Sequence, residues 1–259
     1  MGRGSVLFVL VLALITPAAA GGGRSPDAAD PAGAVFQVEI VARDTNKSAG
    51  YGTAFFTASD GTALTASHVV YRAQHDPEHY DLLAIVDKEF YSVEIVCASK
   101  LHDDPTKPSA VTGVQPGRDV AQIKVVPSRF LFREWLLTLE TGEKLRLATA
   151  HANAVPAFPY LAIARGPSAG EHIRVIGFGH ISPIPRVFVA TGQIDRMTQA
   201  RDGTDIFSAE FPSRPQPGNS GSPILNDRNQ VVGLWPWYSL TQSNLAVGIS
   251  STALQRPCP

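Results

Sequence analysis

The chain has 259 residues, of which 44% are hydrophobic, and a formal net charge of −1. This length allows one substantial globular unit or two small ones. Acidic and basic residues nearly balance, so the sequence does not indicate the basic surface that nucleic-acid binding requires. We therefore expect no nucleic-acid partner.

The N-terminus has the three parts of a secretory signal peptide. Arg3 supplies the positive charge, Val6–Ile15 form an apolar segment, and Ala18–Ala20 place small residues at a cleavage site. The apolar segment is shorter than the roughly 20 residues of a membrane span, so we expect no stable membrane anchor. We predict a signal peptide at residues 1–20, a flexible leader at residues 21–33 and a secreted or periplasmic mature protein.

After the leader, short apolar runs alternate with glycine and proline. This rhythm is typical of an all-β chain, and short strands separated by turns favour barrels over alternating helices and strands. The predicted strands are Val35–Val41, Gly52–Thr57, Thr62–Ala66, Leu82–Val86, Tyr91–Cys97, Val120–Val126, Ile173–Phe178, Val187–Ile194, Ile206–Phe211, Val231–Trp235 and Leu245–Ile249.

Two stretches in the first half carry candidate catalytic side chains. His68 lies in Thr65–Val70, where small residues leave room beside the imidazole ring. Asp119 directly precedes a predicted strand that would fix its position, whereas Asp103 and Asp104 lie in a polar loop and are the rival aspartates. A histidine and an aspartate of this kind would serve as a base and the group that orients it.

Residues 127–159 separate these stretches from the second half of the predicted strands. They include Phe130–Leu137, an apolar-rich piece whose composition allows a short amphipathic helix. The sequence assigns this segment no function.

Gln216–Pro223 places Ser220 among glycines. Glycine permits backbone conformations that other residues resist, so the hydroxyl is accessible and nearby N–H groups are free to face an oxyanion. The alternative interpretation of this octapeptide is an ordinary turn between two strands.

Four stretches, in this order along the chain, resemble blocks of the chymotrypsin-fold serine proteases of the bacterial secreted type. The resemblance is greatest to the glutamyl endopeptidases and to the protease domain of the HtrA group, and it covers roughly Val35 to Ser250. The four blocks are Gly52–Phe56, Leu64–Val70, Asp119–Ala121 and Gly218–Pro223.

The resemblance implies two six-stranded antiparallel β-barrels with the active site in the cleft between them. Within a protease domain at residues 34–259, the barrels would span about residues 35–126 and 160–250, joined by an enlarged connection at 127–159 and followed by a short tail. Ser220 would be the nucleophile, His68 its base and Asp119 the group that orients the base. The backbone N–H groups of Gly218 and Ser220 would form the oxyanion hole.

The predicted substrate-binding residues depart from the family pattern. Trp235 stands at about the place of the histidine with which glutamyl endopeptidases line their primary pocket, and Trp237 and Tyr238 add further bulk. We expect these aromatics to narrow the pocket. Arg214, six residues before Ser220, lies where the animal enzymes have a pocket-floor residue, and it either attracts an acidic side chain or is exposed to solvent.

The sequence leaves two function classes open. The first is a secreted serine endopeptidase acting on polypeptide substrates, and the second is a catalytically idle protease-fold protein that binds partners. We expect no cofactor. We also expect no metal site, because Pro77 disrupts a helical presentation of His75 and His79 as ligands. Cys97 and Cys258 fit either a disulfide or two free thiols, and the sequence does not indicate an oligomeric state.

Overall fold

Fourteen β-strands lie in the part of the chain described by the computed structural model, which comprises residues 30–101, 117–138, 141–179, 186–212, 217–238 and 245–257. The predicted signal peptide, the leader up to residue 29, the rival aspartates, Arg214 and Cys258 lie outside these residues. Within them, no helix is both long and apolar enough to cross a membrane.

The first barrel contains six antiparallel strands in the order β4-β1-β2-β3-β6-β5, and the pairing of β4 with β5 closes it. Its tightest connection is Asp87-Lys88, whose positive φ angles of 51° and 67° give the turn that suits a two-residue hairpin. The strands are β1 (Val35–Ala42), β2 (Lys47–Phe56), β3 (Thr62–Thr65), β4 (Tyr80–Val86), β5 (Glu89–Ala98) and β6 (Ala121–Val126).

The second barrel is also closed and antiparallel, with the strand order β10-β11-β14-β13-β12-β9. Together the two barrels confirm the predicted fold class. The strands are β9 (His172–Gly179), β10 (Arg186–Gln199), β11 (Asp205–Glu210), β12 (Ser222–Leu225), β13 (Val231–Tyr238) and β14 (Leu245–Ser250).

An apolar core joins the two barrels. Leu225, Leu234 and Ile249 of the second barrel belong to the same buried cluster as Phe36 and Phe55 of the first. Burial of such side chains contributes about 1.5–3 kcal/mol each. The barrels therefore pack directly on each other, which holds residues from both at their junction.

The connection between the barrels forms a hairpin, so the expectation of a helix at Phe130–Leu137 is wrong. Strand β7 (Glu134–Thr138) pairs with β8 (Lys144–Ala150), and β8 adds to β5 in parallel. Trp135 is buried against the outside of the first barrel, in a cluster with Phe90. Strand pairing and this burial together outweigh the short helical pattern.

His151 fastens the end of this hairpin to β5. Its Nδ1 lies 3.1 Å from Glu89 Oε2 and its Nε2 lies 3.2 Å from the carbonyl oxygen of Ala154. Burial lowers the pKa of His151, but the contacts with the Ala154 carbonyl and the Glu89 carboxylate outweigh it and raise that pKa above its usual value. Two acceptors on one ring therefore favour the doubly protonated imidazolium.

Folded backbone precedes the predicted domain boundary at residue 34. Pro31–Ala34 form a short 3₁₀ helix, and the Asp30 carboxylate accepts a hydrogen bond of 3.0 Å from the N–H of Ala32. Pro31 and Ala34 are buried. The last residues of the predicted flexible leader thus belong to the folded unit.

Candidate active site

His68 lies in the first turn of helix α1 (Ser67–His75), which follows directly after β3. Residue Ala66 gives this helix no side-chain cap. Instead, Asp119 Oδ1 accepts a hydrogen bond of 3.0 Å from the backbone N–H of His68. A carboxylate at a helix N-terminus also interacts favourably with the helix dipole.

The second carboxylate oxygen of Asp119 lies 2.7 Å from Nδ1 of His68. The Asp119 side chain is 3% exposed, whereas that of His68 is 15% exposed. Because a carboxylate oxygen accepts, Nδ1 carries the proton in this pair. Nε2 of a neutral ring is then left with the lone pair that a general base uses.

The backbone around Asp119 is fixed from both sides. The carbonyl of Val120 accepts hydrogen bonds from the hydroxyls of Ser67, at 2.8 Å, and Ser99, at 3.0 Å. The N–H of Arg118 donates to Asp202 Oδ2 of the second barrel, at 2.7 Å. Burial raises the pKa of Asp202, but this hydrogen bond and those from Thr204 outweigh it and lower the pKa.

Ser220 lies in a turn just before β12, where the second barrel contacts the first. Gly221, the next residue, lies so close to the start of α1 that a Cβ atom there would lie 3.1 Å from the N atom of Ala66, the residue before the helix. The predicted nucleophile and predicted base are therefore on neighbouring turns. The Ser220 hydroxyl donates to the carbonyl oxygen of Pro236, at 3.3 Å.

Residues 218–220 form the turn that carries Ser220, hereafter the serine turn. Each of its three backbone carbonyl groups accepts a hydrogen bond. That of Asn219 accepts from the N–H of Ser222, at 2.9 Å, while those of Gly218 and Ser220 accept from Thr53, each at 2.8 Å. Among the described residues, no hydrogen bond from the N–H of Gly218 or Ser220 is found. These are the two donors predicted for the oxyanion hole.

Gly218 requires glycine for two reasons. Its φ angle is +96°, and a Cβ atom would lie 2.5 Å from the carbonyl oxygen of Phe178 and 2.9 Å from the Tyr51 ring. A side chain would therefore displace the turn that carries Ser220.

Ser222, two residues after Ser220, faces a second glycine. Its side chain is fully buried, and a Cβ atom at Gly177 would lie 1.9 Å from its Oγ. Gly177 thus provides the space that the Ser222 hydroxymethyl group occupies.

The predicted substrate-binding residues are in different situations. Trp235 is 1% exposed and packs on Phe211, with ring centroids 4.7 Å apart, in the core of the second barrel. The backbones of Trp237 and Tyr238 pair with Val247 and Ala246 of β14, and their side chains lie outside the described part of the structure, as does Arg214. The ring of Trp235 is enclosed in this core. The expectation that aromatic side chains narrow the pocket therefore rests on Trp237 and Tyr238, and it stays a prediction.

Glu39, on the strand next to Tyr51, has a buried carboxyl group that was not predicted from the sequence. Glu39 is 3% exposed, opposite Tyr51 in the β1–β2 pairing, and accepts hydrogen bonds from Gln37 and Ser48. Burial raises the pKa of Glu39 to about 7, against the smaller opposing effect of those hydrogen bonds. Burial, and then the charge of Glu39, also raise the pKa of Tyr51.

Glu39 should make stability depend on pH. Because its pKa is raised in the folded state, the protonated Glu39 carboxyl contributes to the stability of the fold. This contribution is complete below the usual pKa of 4.5 and is lost as the pH rises through about 7. We expect Glu39→Gln to raise the free energy of unfolding by about 3 kcal/mol at pH 8 and very little at pH 4, because an amide needs no deprotonation. Urea denaturation at the two pH values measures this.

The exposed Glu134, which pairs with Arg146 at 2.9 Å, provides the control. Glu134→Gln should leave the pH dependence as in the wild type, since exposed ion pairs contribute little. Identical pH profiles for wild type and Glu39→Gln would contradict the role of the buried carboxyl.

No group of three or more histidine, cysteine, aspartate or glutamate residues in the described part of the chain is arranged to hold a metal ion. Cys97 is disulfide-bonded, so it is not a free thiol.

Two closed, six-stranded antiparallel β-barrels that pack on each other are the fold of the chymotrypsin-like serine proteases. The sequence profile of the trypsin-like peptidase domain matches residues 52–234. The chain belongs to the trypsin-like peptidase domain family, and by class it is a serine endopeptidase. This confirms the resemblance and the enzyme class predicted from the sequence.

Solved structures of similar proteins have the same fold. The Rv3671c protease from M. tuberculosis, in its active form, has a TM-score of 0.55 and 15% identity, covering 88% of this chain and 80% of that one. Deg5 has a TM-score of 0.55 and 14% identity, covering 87% of each chain. A serine endoprotease from Yersinia pestis has a TM-score of 0.53 and 15% identity, covering 87% of this chain and 61% of that one.

Proposed function

We propose that the protein hydrolyses peptide bonds through a triad of His68, Asp119 and Ser220 and a covalent acyl-enzyme intermediate. The observation that carries this proposal is the two-point contact of Asp119 with His68, through the helix N–H and through Nδ1. This contact orients the ring and leaves Nε2 to act as a base.

In the acylation step, the Ser220 hydroxyl turns from the Pro236 carbonyl toward Nε2 of His68 by rotation about its Cα–Cβ bond. Nε2 takes the hydroxyl proton as Oγ attacks the carbonyl carbon of the substrate. The tetrahedral intermediate then collapses: its C–N bond breaks, and the leaving amine takes the proton from Nε2. Asp119 stabilises the imidazolium that forms between these two transfers.

The N–H groups of Gly218 and Ser220 bind the negative oxygen of the tetrahedral intermediate. Loss of one such donor typically lowers the rate about a hundred- to a thousandfold. Water then attacks the acyl-enzyme with His68 as base again, which releases the carboxylic acid and restores the Ser220 hydroxyl.

The substrate backbone adds to the second barrel as an extended strand beside β13. The pairing of β13 with β14 is irregular between Leu234 and Trp237, at the place of the Pro236 carbonyl that accepts from Ser220. Once the Ser220 hydroxyl has turned away, this carbonyl accepts an N–H from the peptide. Proline itself donates no N–H there.

A peptide library with mass-spectrometric readout tests activity and specificity together. We expect cleavage after alanine, valine or leucine and weak cleavage after lysine or arginine, because Trp237 and Tyr238 have bulky side chains that would narrow the pocket. The rival is recognition of an acidic side chain by Arg214. Dominant cleavage after glutamate or aspartate that disappears in Arg214→Ala would decide for the rival.

An active-site label distinguishes the endopeptidase from an idle, partner-binding member of the family. The idle alternative has one observation in its favour, the hydrogen bond of the Ser220 hydroxyl to Pro236. A fluorophosphonate that tags Ser220 in folded protein supports the hydrolase, and folded protein that stays unlabelled supports the binder. We place the enzyme outside the cytoplasm, in the periplasm or the medium, where its substrates are polypeptides.

A further inference from the structure

Thr53 of β2 lies at the contact between the two barrels. It is fully buried, and it faces the serine turn of the second barrel although 165 residues separate it from Gly218. Its register partner within the first barrel is Gln37 of β1. Thr53 instead directs both its backbone N–H and its side chain at the second barrel.

The Thr53 hydroxyl is used as donor and as acceptor. It donates to the carbonyl of Gly218, at 2.8 Å, and accepts from the N–H of Phe178 in β9, at 2.9 Å. A hydroxyl has one proton to donate, and that proton is committed to Gly218. A valine side chain has the same shape but would leave both of these backbone groups without their partner.

The backbone of Thr53 completes the contact. Its N–H donates to the carbonyl of Ser220, at 2.8 Å, and its own carbonyl accepts from the hydroxyl of Thr65, at 2.7 Å. Thr65 belongs to β3, three residues before His68. One residue of the first barrel thus binds the carbonyls on both sides of Asn219 and is itself bound to the strand that leads to the base.

We propose that Thr53 is a positioning residue for catalysis. By fixing the carbonyls of Gly218 and Ser220, it holds the serine turn so that the N–H groups of those two residues face the oxyanion. It also sets the position of Ser220 relative to His68, since the two lie on opposite barrels. This inference rests on the proposed function, and it concerns a residue that does not itself touch the reacting atoms.

The test compares Thr53→Val with Thr53→Ser. The valine variant replaces the hydroxyl with a methyl group, whereas the serine variant keeps the hydroxyl and loses the methyl group. We expect Thr53→Val to lower kcat and the rate of fluorophosphonate labelling about 10- to 100-fold, with KM changed less than about threefold, because misplacement by about 1 Å has effects of this size. Thr53→Ser should keep at least about a third of the wild-type rate.

Asn226→Ala is the matched control for stability. Asn226 follows the far end of β12, and its side-chain oxygen accepts from the N–H groups of Arg228 and Gln230, each at 3.0 Å. This variant also loses two backbone partners, but not in the serine turn. It should lower the midpoint of thermal unfolding and leave the labelling rate of the folded protein unchanged.

Hydrogen exchange provides a readout that does not need activity. The N–H of Gly221 donates to the carbonyl of Trp235, at 2.7 Å, and that of Ser222 donates to Asn219, at 2.9 Å. Peptides that cover residues 217–225 should exchange about tenfold faster in Thr53→Val and as in the wild type in Thr53→Ser.

Three outcomes would overturn the proposal. The first is a Thr53→Val protein that labels as fast as the wild type. The second is equal slowing in Thr53→Val and Asn226→Ala, which would mean general destabilisation. The third is an unlabelled and inactive wild type, which refutes the proposed function as well. Hydrogen exchange separates this failure from the other two. With an inactive wild type, faster exchange in Thr53→Val but not in Thr53→Ser would show that Thr53 holds the serine turn without a catalytic consequence.

Discussion

Replacing Ser220 with alanine should abolish peptide hydrolysis while both barrels stay folded. The substitution removes the attacking oxygen and one hydrogen bond to Pro236, at 3.3 Å, and leaves the packing unchanged. The expected loss of kcat is on the order of a millionfold for the nucleophile of such a unit. Hydrolysis of a cleaved library peptide and circular dichroism measure the two halves of this prediction.

His68→Ala should be nearly as severe, and the double variant little worse than either single one, because residues that act as a unit are not additive. Ser251→Ala is the control. Ser251 is fully buried, and its hydroxyl has no hydrogen-bond partner in the described part of the chain, so its loss should leave the rate unchanged. More than a few per cent of activity in Ser220→Ala would overturn the assignment of the nucleophile.

Gly218→Ala should reduce kcat at least about a hundredfold, the effect of losing one oxyanion donor. The added Cβ would lie 2.5 Å from the Phe178 carbonyl oxygen, so the turn has to move and its N–H groups lose their alignment. The labelling rate with a fluorophosphonate measures this, since the reagent also requires the oxyanion donors.

Gly142→Ala separates this steric effect from backbone strain. Gly142 has a φ of +81°, close to that of Gly218, but no atom lies within 4 Å of where its Cβ would be. It should carry only the strain of a left-handed alanine, about 1–2 kcal/mol, and keep full activity. A Gly218→Ala protein that behaves like Gly142→Ala would contradict the assignment of Gly218 to the oxyanion hole.

Strand β12 (Ser222–Leu225) was not predicted, because it is short and directly follows the glycine-rich turn. The other eleven barrel strands could be predicted, because each contains a short apolar run near a turn, as at Asp87-Lys88 between β4 and β5. Helix α1 could not. Its Val69-Val70 pair favours a strand, and its first turn depends on the carboxylate of Asp119, 51 residues away. Likewise, the β7–β8 hairpin forms where it can add to β5 and bury Trp135.

In the candidate site, the reactive side chains could be proposed from the sequence and their roles stay predictions, whereas the residues that hold them could not be proposed. His68, Asp119 and Ser220 belong to short recognisable stretches. Thr53 is an ordinary strand residue until the packing of the two barrels on each other brings Gly218 and Phe178 within 3 Å of its hydroxyl. Glu39 similarly shows its buried state only when β1 and β2 are paired and packed.

The contact between Gly177 and Ser222 restricts the order in which the two positions can change during evolution. A side chain at position 177 would lie 1.9 Å from the Ser222 hydroxyl oxygen, so this change forces the buried Ser222 side chain to move. Loss of the hydroxymethyl group at position 222 needs no prior change, and it leaves the Thr53 hydroxyl, at 3.2 Å, as the nearest remaining obstacle. A lineage can therefore pass through Ser222→Gly before Gly177→Ala, but the reverse path crosses a clash two residues from Ser220.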